Sequence, residues 1–212
     1  MSSVLNNLHI KKFVAARRVR VLVESMAALV PNGSRLLDVG CGDGQITKLV
    51  VARRSGVKAT GIDVLLRPKT HIPVAKYDGT TIPFEDASFD VVMLIDVLHH
   101  TENPAALLRE ATRVTTRYVL LKDHFRNGVF AGATLRLMDW ISNIHQGVAL
   151  PYNYLSEMEW HRIYERVGVR PVDIKRKLNL YPQPANLVFG RNLHFIALLE
   201  KKSQRQGQNS RR

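Results

Sequence analysis

Residues 36–44 read Leu36-Leu37-Asp38-Val39-Gly40-Cys41-Gly42-Asp43-Gly44, an apolar run that ends in an acid and turns into alternating glycines. Gln45-Ile46-Thr47-Lys48-Leu49-Val50-Val51 follows, with apolar residues at 46, 49 and 50 in helical spacing. The order is strand, glycine turn, helix. Glycines let a backbone approach a ligand with no Cβ in the way, and the helix beyond them offers N–H groups that have no partner inside the helix. A dinucleotide-binding turn wants G-x-G-x-x-G. Here the glycines fall at 40, 42 and 44, and Gln45 stands where that third glycine would be.

On either side of this turn the chain alternates strands with helices. Upstream, Val19, Leu22, Val23, Met26 and Val30 recur at three- and four-residue steps and predict a helix over 12–30, stopped by Pro31-Asn32-Gly33. The first strand is Arg35–Val39, and the helix after the turn runs over 45–54. Lys58–Asp63, 73–76 and Phe89–Ile95 read as strands two to four, the last a continuous apolar run suited to burial on both faces. Pro104 opens a helix with Leu107, Leu108, Ala111 and Val114 on one face, and a fifth strand covers 118–121. Alternation of this kind means a parallel sheet with right-handed crossovers.

After the fifth strand the pattern changes. Residues 124–155 are too long for an ordinary connection and rich in Phe, Trp, Tyr and Leu, with a helix over 130–144. Ser156-Glu157-Met158-Glu159 matches a capping box, and the helix it opens ends at Gly168. Strands over 172–177 and 193–200, joined by a Pro- and Asn-containing loop, complete one domain over 1–202. The Gln-, Ser- and Arg-rich stretch 203–212 reads as a disordered basic tail.

Composition sets limits on function. A chain of 212 residues with 45% hydrophobic content suits one globular domain with a sizeable core. No apolar run reaches the roughly 18 residues of a membrane span, and no signal-peptide pattern opens the sequence, so a cytoplasmic protein is expected. Cys41 is the single cysteine, which excludes an internal disulfide. In the glycine turn it reads as packing, not as a nucleophile. The net charge of +13 is concentrated at the ends: residues 1–20 and 201–212 each hold five basic residues and no acid, leaving 21 basic and 18 acidic residues between them. These ends could make weak contact with an anionic surface; a solubilising tail and a solvated helix face are the plainer reading.

Three further stretches join the glycine turn. Gly61-Ile62-Asp63-Val64 ends the second strand, and Asp63 can accept two hydrogen bonds from a ribose diol. Asp78-Gly79 precedes Ile82-Pro83-Phe84-Glu85-Asp86-Ala87-Ser88-Phe89-Asp90. Ile95-Asp96-Val97-Leu98-His99-His100 ends the fourth strand. Together these resemble the class I S-adenosylmethionine (SAM)-dependent methyltransferases, and within them the ubiquinone/menaquinone-type small-molecule enzymes. The shared points are D-V-G-C-G-x-G, G-I-D, D-G-x-x-I-P-F-x-D-x-S-F-D and V-L-H-H, over about residues 36–123.

The resemblance implies a Rossmann-like, doubly wound α/β sheet of seven strands, mostly parallel with a C-terminal antiparallel hairpin. It implies SAM as cofactor and S-adenosylhomocysteine (SAH) as product. Gly40, Cys41, Gly42 and Gly44 would hold the methionine part, with Asp38 orienting the turn or reaching the amino group through water. Asp63 would bind the ribose, Val64 would lie against the adenine, Asp78 would accept from the adenine amino group with Gly79 beside it, and Asp96 would line the sulfonium end.

A hydroxyl acceptor also needs a base, and histidine titrates in the right range. His124, just after the fifth strand, is the first candidate, with His145 and Tyr154 in an aromatic insert expected to act as a lid; Tyr152 lies there too. For each, a core or lid side chain with a satisfied hydrogen bond is the plainer role. His99 and His100 fit packing beneath the cofactor better than proton transfer. His and Asp residues lack metal-ligand spacing, so no metal is expected. The leading reading is therefore methyl transfer to a small apolar or aromatic acceptor, by O- or C-methylation. An RNA methyltransferase is the first alternative, set back by a near-balanced central region without an RNA-binding module. A non-catalytic SAM-binding protein docking on an anionic membrane is the second. The insert could instead form a homodimer interface.

Overall fold

The structure, a computed structural model, describes the backbone over residues 2–143 and 153–202, and side chains over 13–138 and 153–202. His145, Leu150, Tyr152, the side chain of Trp140 and the tail from Ser203 lie outside the described residues.

Seven strands form one sheet in the order β3-β2-β1-β4-β5-β7-β6. β1 (Arg35–Val39), β2 (Lys58–Asp63), β3 (Val74–Lys76), β4 (Phe89–Ile95) and β5 (Thr115–His124) run parallel, while β7 (His194–Lys201) runs antiparallel to both β5 and β6 (Val169–Lys175). This is the mostly parallel sheet with an antiparallel C-terminal hairpin that the sequence implied. The strand order reverses between β1 and β4, where an open α/β sheet leaves a crevice at the carboxyl ends of its strands.

The apolar runs explain why the sheet is covered on both faces. Leu37, Val39, Val92, Leu94, Val119 and Leu121 point into one core, with Leu107 and Leu108 of α3 (Pro104–Val114) and Trp160 and Tyr164 of α5 (Glu157–Val167). Their neighbours Leu36, Val91, Met93 and Leu120 point to the other face. There they meet Leu22, Val23 and Met26 of α1 (Ser2–Ala27) and Val50 of α2 (Gln45–Val51). A third, smaller cluster joins Ala131 and Leu135 of α4 (Ala131–Asn143) to Tyr154 and Leu193.

Several boundaries differ from the sequence reading. Helix α1 starts at Ser2, ten residues before the expected start, because no glycine or proline interrupts it upstream of Pro31. β5 extends through Lys122-Asp123-His124, and β6 begins directly at Val169, where Gly168 turns the chain at φ 77°. The loop over 179–192 contains a short helix, α6 (Ala185–Phe189). Among the described residues, no helix is long and apolar enough to cross a membrane.

Candidate functional site

The glycine turn lies between β1 and α2, at the crevice. Gly40 adopts φ 70°, and a Cβ there would come within 2.6 Å of Val97 Cγ2, so the turn and the segment after β4 meet at a distance only glycine permits. Asp63, at the end of β2, ties the turn to its neighbour strand. One carboxylate oxygen accepts the Gly42 N–H at 2.8 Å and the other the Leu65 N–H at 2.9 Å. Both oxygens keep lone pairs for a further donor. Asp38 sits deeper, buried beneath the turn, and accepts the Thr47 hydroxyl. Burial pushes its carboxyl up to about 7 against the opposing effect of that hydrogen bond. Its other oxygen has no hydrogen-bond partner. Of its two expected roles, bracing the turn is the one this placement supports.

Cys41 packs against the sheet: a Cβ on Gly61 would lie 2.5 Å from its sulfur. Burial, with Asp38 and Asp63 nearby, raises the thiol to about 12, which keeps it protonated and unreactive. Asp78 is exposed. Its Oδ1 accepts the N–H groups of Thr80 and Thr81, which lower its carboxyl, so it shapes the turn that presents Gly79.

A cleft of about 600 Å³ opens above these elements. Gly40, Gly42, Asp63, Val64, Gly79 and Asp96 wall it, and so does His100. Asp38, Cys41, Gly44 and Asp78 are not part of that wall. Volume and lining suit a nucleoside-sized ligand.

Asp96 is the residue whose surroundings the sequence does not reveal. It follows β4 at φ 57°, in the left-handed region that a non-glycine residue adopts only when neighbours hold it. Its N–H donates to the Lys122 carbonyl at 2.9 Å. One of its oxygens pairs with the Lys122 ammonium and the other with the guanidinium of Arg18, from α1. Burial works against the charged carboxylate, but Lys122 and Arg18 outweigh it and hold the group well below the usual range. Lys122 is itself 1% exposed. Its ammonium also donates to His194 Nδ1 at 3.4 Å, while His194 Nε2 donates to the Phe189 carbonyl at 3.1 Å, which fixes the histidine as the neutral Nε2–H tautomer.

His124 lies in the same buried layer. Its N–H donates to Asp123 Oδ1 at 2.8 Å, its carbonyl accepts the Trp160 indole N–H at 3.0 Å, and its Nδ1 is 3.7 Å from Asp96 Oδ1. Burial and the Lys122 charge push it down to about 4, so it is neutral at pH 7. His99 Nδ1 donates to the same Asp123 oxygen at 2.7 Å. Tyr154 stacks on His99 and donates its hydroxyl to the Leu135 carbonyl at 3.1 Å. The structure thus places His124 and Tyr154 behind the cleft wall and His100 on it. Donor atoms of Asp96, His99 and His124 do come within 4.8 Å of one another. That convergence joins β4 to β5 and has no sequence spacing. The Asp96 oxygens are already paired with two cations there.

The aromatic insert is tied to the rim of the cleft. Phe125 stacks on Phe195 at 4.1 Å, the Asn153 N–H donates to the His99 carbonyl at 3.1 Å, and the Asn153 amide donates to the Thr101 carbonyl at 2.6 Å. Thr101 walls the cleft.

A family profile described as a methyltransferase domain matches residues 11–174. The chain belongs to the class I SAM-dependent methyltransferases. Among curated members it is 32% identical over 108 residues to 27-O-demethylrifamycin SV methyltransferase of Amycolatopsis mediterranei, covering 44% of this chain and 39% of that one. It is 26% identical over 166 residues to the ubiquinone biosynthesis O-methyltransferase of Cereibacter sphaeroides, covering 70% of this chain and 65% of that one. The chain therefore spans less than two thirds of either relative. In fold it is similar to magnesium protoporphyrin IX methyltransferase of Synechocystis, solved with SAH bound. The TM-score is 0.60 at 15% identity, over 91% of this chain and 87% of that one. SAM is the family's cofactor, and the cleft brings together a close-approach glycine turn, a carboxylate at the end of β2 and a second just after β4.

Proposed function

We propose that this protein transfers a methyl group from SAM to a small, apolar or aromatic acceptor, by O- or C-methylation. The observation that carries the reading is the wall of the cleft, where the Gly40–Gly44 turn, Asp63 and Asp96 meet at the β1/β4 switch point. In this reading the turn holds the methionine part, Asp63 the ribose, Val64 and Gly79 the adenine side, and Asp96 the sulfonium end. Bound SAM supplies a methyl on a sulfonium whose leaving group is a neutral thioether. The chain's own share is to orient the reactants and exclude water, worth up to roughly 7–11 kcal/mol in favourable systems.

A hydroxyl acceptor would also lose a proton. His100 stands on the cleft wall, whereas the buried His124 ring lies 3.4 Å from Asp123 Oδ1 and 3.7 Å from Asp96 Oδ1. A small-molecule acceptor is carried from the relatives, one named for 27-O-demethylrifamycin SV and one for ubiquinone biosynthesis. The insert over 124–155 is the part assigned to acceptor selection, with Val129 and Phe130 each 76% exposed near its start.

The test is incubation of the purified protein with isotope-labelled SAM and a small-molecule extract. Label is expected in a low-molecular-weight product; label found only in RNA would overturn the acceptor class. Asp63→Ala should weaken SAM binding by about 1.5–3 kcal/mol in calorimetry if the carboxylate accepts charge-assisted bonds from the ribose. Unchanged affinity in the folded variant would remove Asp63 from the site.

A further inference from the structure

Arg18 lies in α1, outside every stretch that resembles a methyl-donor fingerprint, yet its guanidinium pairs with the Asp96 carboxylate, which walls the cleft. Arg17, its neighbour on the same helix, does something different. Its Nε and Nη2 donate to the Asn179 carbonyl at 3.2 and 3.1 Å and so dock the helix on the 179–192 loop. Two adjacent arginines therefore divide two tasks, one holding the helix down and one reaching a charged residue of the site.

The charges of this corner balance. Arg18 and Lys122 supply two cations, and Asp96 and Asp123 two carboxylates. Lys122 is sealed on β5, between β4 and β7, at 1% exposure, whereas the Arg18 side chain is 33% exposed. Arg18 is thus the adjustable cation of the set. SAM and SAH differ only by one methyl group and the positive charge that it places on sulfur. A cleft that binds both in turn responds to any fixed charge near that sulfur by favouring one over the other.

We propose that Arg18 is a positioning residue for the cofactor: by pairing with Asp96 it sets the charge at the sulfonium end of the cleft, and with it the relative affinity for charged SAM and neutral SAH. The inference rests on the assignment of the Asp96 end of the cleft to the sulfonium. Without Arg18, one carboxylate is left in excess and the wall turns net negative. The charged donor then gains and the neutral product does not. With Arg18 in place, the wall does not hold the donor's charge more tightly than the product requires.

Calorimetric titration of the full chain with SAM and with SAH tests this. Arg18→Gln is expected to shift the SAM-to-SAH affinity ratio toward SAM by roughly three- to tenfold at low salt, with the shift shrinking as salt screens the partly exposed site. Arg18→Lys, which keeps the charge, should restore the wild-type ratio. Arg17→Gln, which loosens the same helix away from Asp96, should move the ratio far less. An unchanged ratio in Arg18→Gln, an equal loss of both ligands there, or an equal ratio shift in Arg17→Gln would each overturn the proposal and leave Arg18 a structural clasp. Should the wild-type protein bind neither ligand, the cofactor assignment itself falls, and the inference with it.

Discussion

Lys122, His124 and His194 form a buried polar layer beneath Asp96 on the cleft wall, and the protonation of its histidines helps set how the fold responds to acid. His124, pushed down to about 4, and His194, held well below its usual value, are neutral when folded but become charged in the unfolded chain below pH 6.5. Their contribution is present above pH 6.5 and is lost as pH falls. Asp38, raised to about 7, acts the other way: the folded state keeps its proton between about pH 4 and 7, so its contribution is lost as pH rises. Two histidines against one carboxyl leave about one net proton, so the unfolding free energy should fall by roughly 1.4 kcal/mol per pH unit from pH 6.5 to 4.5. Urea melts across that range measure the slope, and His124→Gln should bring it close to zero. A slope unaffected by the substitution would mean that His124 is charged in the fold. The glycine turn and its acids were legible in the sequence because they are local. The layer beneath was not: Arg18 pairs with a residue 78 positions away and Lys122 with one 26 away, and nothing in either neighbourhood distinguishes them from surface cations.

The elements that carry their own punctuation were read well. β1, β2 and β4 have the expected boundaries because each is closed by a glycine, an acid or both, β1 and β4 after an apolar run. The capping box of α5 forms as the sequence indicates: the Ser156 hydroxyl accepts the Glu159 N–H at 3.3 Å, and Glu159 accepts the Ser156 N–H at 2.7 Å. Ser156→Ala should therefore cost about 0.5–2 kcal/mol of stability in urea unfolding and leave SAM affinity unchanged, since α5 contributes no residue to the cleft wall. A loss of SAM binding at unchanged stability would place this cap in the site instead. β5 was read short for a physical reason. Lys122-Asp123-His124 has the composition of a loop, and only burial between β4 and β7 with mutual pairing makes it strand.

Across the whole molecule, the excess positive charge sits at the two ends of the chain, in α1 and from Lys201 onward. The sheet is complete at Lys201, the last residue of β7. Deleting Ser203–Arg212 removes three arginines and should leave SAM binding and the unfolding midpoint unchanged while lowering the salt concentration that elutes the protein from heparin. A fall in SAM affinity would instead show that the tail serves the cleft.

The place of β7 between β5 and β6 has a consequence for biosynthesis. A chain leaving the ribosome releases β1 to β5, with the glycine turn and Asp63, well before His194 emerges. Until β7 arrives, β5 is an open edge, and Lys122, Asp123 and His124 face water at its end. The nascent protein can therefore shape the nucleoside half of its cleft early, but the charged layer beneath Asp96 closes only when the last strand inserts. Competence to bind the donor should then appear abruptly, once β7 has emerged and inserted, and not build up strand by strand.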